Sequence, residues 1–229
     1  MIKDPPVLTL RRAFARPAPD LLARFDGVPT GFVVDALGGR GALDFRIKPV
    51  FPVAGPFAGV AITSDNGPAD NLALFGSLSL AGPGDILVAA TDGCVSAAVS
   101  GDLLLGMAKN RGVRALVTDG LVRDMPGVRA VGLPAFAAGV SPNSPAKSGP
   151  GSAGMPVVLG GVRVASGDIV VADEDGVVVV PLAAAEAVAA ALDEVRAAEA
   201  ALEAKVKGGL DLPEWVRALV ASDRVHLEG

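Results

Sequence analysis

Three side chains stand out for what they could do together: Asp102, at the start of Gly101-Asp102-Leu103-Leu104, and the adjacent pair Arg123-Asp124. The chain has one His, one Cys and no Tyr. Chemistry here therefore rests on carboxylates, Arg, Lys and backbone amides. Asp124 offers oxygens to a hard cation, and Arg123 offers a planar fork to a carboxylate or an α-keto acid. The first amides of a helix beginning at Gly101 lack intrahelical partners, so those of Gly101 to Leu104 face any anion above them. Each motif also has a plainer structural reading. Asp102 could simply complement a helix dipole, and Arg123-Asp124 could be a surface pair worth little.

With no His or Cys cluster, zinc is disfavoured, and carboxylate oxygens with water suit Mg²⁺ or Mn²⁺. Glu199 is a separate oddity. It interrupts the stripe Val188, Leu192, Val195, Leu202, Val206, whose spacing predicts one buried helix face. A carboxylate there calls for a partner or a metal-bound water, or else reaches out to solvent. Lys147 could form a Schiff base, or serve as a solvated charge or an anion contact. His226 and Cys94 are read as non-catalytic.

The elements that must position these groups are short. Residues 1–45 read as a helical region, with one helix from Pro19-Asp20 and a second that Thr30 could cap and Gly38-Gly39 ends. Segments 47–53 and 57–63 read as strands, and Asp70-Asn71 opens a helix running through Leu80. Gly84-Asp85 and Gly167-Asp168 each feed an apolar strand that closes on Asp-Gly. A helix at 101–110 precedes a strand at 113–118. Residues 134–140 and 156–164 add strands, 148–154 reads as a loop, a long helix spans about 182–206, and 208–229 is a tail. The whole reads as one domain.

Composition narrows the function classes. Of 229 residues, 51% are apolar and 4% aromatic, and the net charge is −5. No basic run appears, which disfavours nucleic acid as a partner. The N-terminus does not read as a signal peptide. The longest uncharged stretch, 130–146, holds three prolines and two glycines, so no membrane span is expected. A cytoplasmic protein is expected.

These motifs resemble the RraA-like family, which holds metal-dependent 4-hydroxy-4-methyl-2-oxoglutarate / 4-carboxy-4-hydroxy-2-oxoadipate aldolases and regulators of ribonuclease E. The resemblance runs from about Thr30 to Val206. It rests on Asp35-Ala36-Leu37-Gly38, Asp70-Asn71, Gly84-Asp85, Gly101-Asp102-Leu103-Leu104, Asp119 to Asp124, Lys147, Gly160-Gly161-Val162 and the segment from Gly167-Asp168 to Pro181. It implies an α/β fold, a β/β/α sandwich similar to the swivelling phosphohistidine domain, with a long C-terminal helix. It implies a trimer or a dimer of trimers. It also implies that Asp124 holds Mg²⁺ or Mn²⁺ directly and Asp102 through water. Arg123 and the amides of Gly101 to Leu104 would hold a pyruvate-like group. Glu199 of a neighbouring subunit would join the outer metal shell. The chain departs from the aldolases at Phe75, where a His is common, and in the small residues Ala97-Ala98-Val99-Ser100.

The expectation is a lyase that cleaves a 4-hydroxy-2-oxo dicarboxylic acid to pyruvate and a second oxo acid, with Asp102 and Arg123 catalytic and oxaloacetate decarboxylation as a side activity. A non-catalytic regulator of a ribonuclease, or an enzyme of another keto acid, is the alternative.

Overall fold

A computed structural model describes residues 6–226 and 228. From the N-terminus come β1 (Leu8–Leu10), α1 (Pro19–Ala23), α2 (Thr30–Ala36), β2 (Lys48–Pro49), β3 (Phe57–Asp65), α3 (Leu72–Leu78) and β4 (Asp85–Ala90). The middle of the chain holds β5 (Ala98–Ser100), α4 (Asp102–Asn110), β6 (Ala115–Thr118), β7 (Leu121–Val122), α5 (Met125–Val131), β8 (Ala135–Ala137) and β9 (Gly139–Val140). Then follow β10 (Gly151–Ala153), β11 (Val157–Leu159), β12 (Val162–Val164), β13 (Ile169–Asp173), β14 (Gly176–Val180), the long helix α6 (Ala185–Lys207) and α7 (Glu214–Val220).

The main sheet is mixed. β3, β4, β6 and β8 lie parallel in that order, and β2 closes one edge antiparallel to β8. On its other side β3 is shared. Its first half pairs with the β13–β14 hairpin, and its end pairs with β10, which carries β1. The central strands are apolar on both faces because both faces are covered. Along Ile86-Leu87-Val88-Ala89, successive side chains enter different cores. Ile86 and Val88 meet Phe136 and Leu159 under the β11–β12 hairpin. Leu87 and Ala89 meet Leu74, Leu105 and Val128 of α3, α4 and α5. A third cluster seats α1, α2 and α6 on β13 and β14 through Phe25, Val33, Val188 and Leu192.

The two Gly-Asp turns carry structural carboxylates. Asp85 accepts from the N–H of Gly82 (2.8 Å) and pairs with Arg16. Asp168 accepts from Ala165 N (2.8 Å) and Leu182 N (2.9 Å), which anchors the lead into α6.

Several expectations need correction. Residues 148–154 contain strand β10, which takes its backbone partners from β1 and β3. The first 45 residues are not wholly helical, since β1 lies among them. The strand expected at 47–53 is paired only at Lys48–Pro49, and α3 ends at Leu78, before Leu80. Thr30 does not cap its own helix. Asp173 accepts from both the N–H and the hydroxyl of Thr30, each at 2.8 Å, so a strand carboxylate caps α2. The stripe on α6 is buried only in its first turns. Val188 and Leu192 are covered, whereas Glu199, Leu202 and Val206 are exposed beyond the edge of the body. Among the described residues, no helix is long and apolar enough to cross a membrane.

Candidate functional site

A second, small sheet brings the candidate residues together. β5, β7 and β9 run parallel. Their carboxyl ends therefore open at one place, the usual position for a ligand in parallel sheets. β5 delivers Ser100 and the start of α4, β7 delivers Arg123-Asp124, and β9 leads to Ser144 and Lys147. Cross-links fix the register: Arg123 N–H donates to Ser100 O (3.0 Å), and Ser141 N–H to Val122 O (2.9 Å).

The pocket at these ends has a volume of about 180 Å³. It is lined by Asn71, Phe75, Ser100, Gly101, Asp102, Leu103, Leu104, Met107, Arg123, Asp124, Ser144, Pro145 and Lys147. Drug-sized pockets run to ~300–1,000 Å³, so this one suits a small ligand. A larger hollow of about 310 Å³ lies between α2 and the β13–β14 turn. Its carboxylate Asp44 is already engaged by Arg46, whose guanidinium pulls the carboxyl down to about 2. Asp35, Lys48 and Asp175 also line that hollow, but among the described residues it holds no Arg beside a carboxylate other than this engaged pair.

Within the smaller pocket the Arg123 Nε lies 3.1 Å from Asp124 Oδ2, and Arg123 Nη1 donates to Ser144 Oγ. Asp124 has φ +61°, left-handed backbone that Asp tolerates better than most residues. That turn begins α5 and aims the carboxylate back at Gly101. The fit leaves no room for a side chain, since a Cβ on Gly101 would lie 2.6 Å from Asp124 Oδ2. Asp102 sits at the first turn of α4 and accepts from the N–H of Leu103 at 2.7 Å. It thus engages one amide of that first turn, Leu103, from within the helix. Its carboxylate rests on Gly127 of α5, where a Cβ would collide with it.

The loop bearing Lys147 is fastened by Asp70. That carboxylate accepts from Ser148 N (2.7 Å), Gly149 N (3.1 Å) and Leu72 N (2.8 Å). Burial alone would raise its pKa; the backbone N–H groups outweigh burial and hold it below the usual carboxylate range. Lys147 is exposed at the pocket rim.

The structure therefore brings together Gly101, Asp102, Leu103, Leu104, Arg123, Asp124 and Lys147, and puts Phe75 in the wall. It does not bring Glu199 to them within one chain. α6 packs on α1 and α2, where Arg24 donates to Ala189 O (2.7 Å) and pairs with Asp193 (3.0 Å). Cys94 lies outside this pocket, its thiol held below its ordinary pKa by a hydrogen bond with Ser96. Sequence reasoning missed Ser144, Asn71 and Ser100 as pocket residues, because no spacing rule ties them to Arg123.

Among the described residues no three His, Cys, Asp or Glu groups cluster as a complete metal cage. The donor set still fits one kind of ion. Mg²⁺ and similar hard cations are held by one or two carboxylates and keep the rest of their shell for water and substrate oxygens. Asp124 and Asp102 border one pocket and match that pattern.

Comparison with known proteins identifies the family and the fold. Residues 30–179 match the family described as RraA-like: Aldolase/RraA. A Halalkalibacterium halodurans protein named "Putative 4-hydroxy-4-methyl-2-oxoglutarate aldolase" is 37% identical over 165 residues, 71% of this chain and 77% of that protein. The solved structure of Streptomyces coelicolor RraAS2, described as an unusual member of the RNase ES inhibitor RraA protein family, superposes with a TM-score of 0.71 at 30% identity. That match covers 82% of this chain and 99% of the relative. An uncharacterized protein from Pseudomonas syringae pv. tomato superposes with a TM-score of 0.76 at 26% identity, covering 86% of this chain and 92% of that one. With its motifs, its mixed α/β sandwich and its long C-terminal helix, this chain belongs to the RraA-like family.

Proposed function

We propose that the protein is a divalent-metal-dependent lyase. It cleaves a 4-hydroxy-2-oxo dicarboxylic acid to pyruvate and a second oxo acid. The observation that carries this reading is the meeting of Arg123, Asp124, Asp102 and the first amides of α4 around one small pocket. The name of the Halalkalibacterium relative points the same way.

Asp124, with Asp102 through water, would hold Mg²⁺ or Mn²⁺. Bound there, such a cation supplies Lewis-acid stabilisation of charge developing on oxygen. Arg123 binds the 2-oxo acid end in its fork and faces the oxygen on which enolate charge accumulates. The amides of Gly101 to Leu104 bind the carboxylate, the substrate displacing Asp102 from the Leu103 N–H. Asp102 orients a water that takes the 4-hydroxyl proton. As C4 becomes a carbonyl, the C3–C4 bond breaks and its electrons pass to C3 as the pyruvate enolate, which protonation converts to pyruvate. Oxaloacetate loses CO₂ through the same enolate, so its decarboxylation is an expected side activity. Glu199 of a neighbouring subunit in a trimer or dimer of trimers would complete the outer shell.

The Streptomyces relative favours a second reading, a regulator that docks on a ribonuclease without chemistry. A docking protein has no need of Asp124 held in left-handed backbone beside Arg123, and this weighs for the enzyme. A third reading, action on another keto acid, uses the same site.

The test is pyruvate release from 4-hydroxy-4-methyl-2-oxoglutarate and from oxaloacetate, with Mg²⁺ and with EDTA. Turnover should require the metal and vanish in Asp124→Asn, which keeps both size and backbone preference. Absence of turnover on both substrates refutes the lyase. Turnover that survives EDTA moves the chemistry to Lys147.

A further inference from the structure

Among the described residues, two buried side-chain polar atoms at the pocket have no hydrogen-bond partner. Asn71 and Ser100 are 5% and 3% exposed, and both line the cavity. Among the buried side-chain atoms described, Asn71 Oδ1 and Ser100 Oγ are the two without a hydrogen bond. Leaving a buried polar group unsatisfied is costly, so native structures seldom do it without a reason.

Their neighbours fix what each can do. Asn71 Nδ2 donates to Val99 O at 2.9 Å, and flipping the amide would set oxygen against oxygen. Oδ1 is therefore the free end, and it can only accept. Ser100 is held in β5, its carbonyl accepting from Arg123 N–H. Its hydroxyl is free both to give and to take a hydrogen bond.

A carboxylate or keto oxygen carries no proton and would be repelled by Asn71 Oδ1. A hydroxyl satisfies both atoms at once: its oxygen accepts from Ser100 and its proton goes to Asn71. We propose that Asn71 and Ser100 form a subsite that reads a hydroxyl group on the substrate. On the lyase reading, on which the assignment to a particular hydroxyl rests, this is the 4-hydroxyl next to the scissile bond. The pair selects hydroxylated acids over deoxy analogues and holds that hydroxyl in the bound substrate; its single O–H then turns from Asn71 to the water held by Asp102, which takes the proton as the C–C bond breaks. Sites that hydrogen-bond a hydroxyl reject analogues lacking it, because their own polar groups are then left unpaired.

The experiment compares 4-hydroxy-2-oxoglutarate with 2-oxoglutarate on the full chain with Mg²⁺. Affinity for the hydroxy acid is read from initial rates, and affinity for the deoxy acid from its inhibition of those rates. Calorimetric titration replaces both if the wild type does not turn over the hydroxy acid. Wild type should prefer the hydroxy acid by about tenfold or more. Ser100→Ala, which deletes an oxygen with no protein partner and so leaves folding intact, should reduce that preference to about twofold by weakening the hydroxy acid alone. Asn71→Ala should do the same, with its melting temperature measured beside it. Equal affinities in the wild type, or a preference that survives Ser100→Ala, overturns the subsite and assigns the two atoms to an ordered water. If calorimetry shows the preference while no turnover occurs, the hydroxyl subsite stands and the lyase reading falls.

Discussion

The Asp124 carboxylate packs directly on the α-carbon of Gly101, so closely that a methyl group there would lie 2.6 Å from Oδ2 and 3.2 Å from the Arg123 Cγ. Gly101 has φ −148°, which any residue can adopt. Its smallness therefore serves the neighbouring acid and not the backbone.

That relationship makes Gly101→Ala a selective probe. The added methyl should push the Asp124 carboxylate and its Arg123 partner outward without straining the chain. Misplacement of reacting groups by about 1 Å costs roughly 10²-fold in rate. The expectation is a loss of that order in metal-dependent pyruvate release, with the thermal unfolding midpoint little changed. Full turnover in Gly101→Ala would show that the carboxylate position does not matter.

Asp70 predicts a pH dependence. Its folded pKa is depressed below the ordinary 3.8, because four backbone N–H groups outweigh the effect of burial. The carboxylate then contributes stability that is fully present above the unfolded value and is lost as pH falls through the folded one. Asp70→Asn should unfold more easily at pH 7, by about 1–3 kcal/mol, the usual worth of charged hydrogen bonds. Urea titrations should find that gap narrowing below about pH 4. The same variant loosens Ser148 and Gly149, which fasten the pocket-rim loop bearing Lys147, so the Michaelis constant should rise as well. A gap that stays constant to pH 2 would remove Asp70 from this role.

Much of the site was legible because it lies in contiguous motifs. Gly101-Asp102-Leu103-Leu104 and Arg123-Asp124 each sit where an apolar run ends, and their convergence follows once β5 and β7 pair in parallel. Asn71 and Ser100 were not legible as a pair. Their significance is a missing hydrogen bond, visible only when neighbouring strands are in place. Strand β10 was missed for a different reason. Gly151-Ser152-Ala153 has no β-branched residue, and its extended form comes from partners on both sides, Thr9 in β1 and Ser64-Asp65 in β3. Thr30 misled in the same way: its hydroxyl signals a cap, yet Asp173 takes that hydroxyl and does the capping from far along the chain.

The outer half of α6 carries the last prediction. Leu202 and Val206 are 47% and 55% exposed on the face that buries Val188 and Leu192 further back, and Glu199 lies between the two halves. An apolar stripe that leaves its own body is suited to another copy of the chain, and contact between two unlike surfaces closes into a ring when the rotation permits. Sedimentation should therefore find an oligomer that Leu202→Lys with Val206→Lys dissociates. Glu199→Gln should stay assembled yet lose roughly 10–100-fold in turnover, as outer-shell metal partners do. The decisive measurement mixes an inactive variant with a weakened one. If each site takes Asp124 from one chain and Glu199 from its neighbour, reassembling Asp124→Asn with Glu199→Gln produces some sites with both acids intact. Activity should then exceed that of either variant alone. Mixtures no more active than their components would confine the site to one chain and leave Glu199 as a solvated charge.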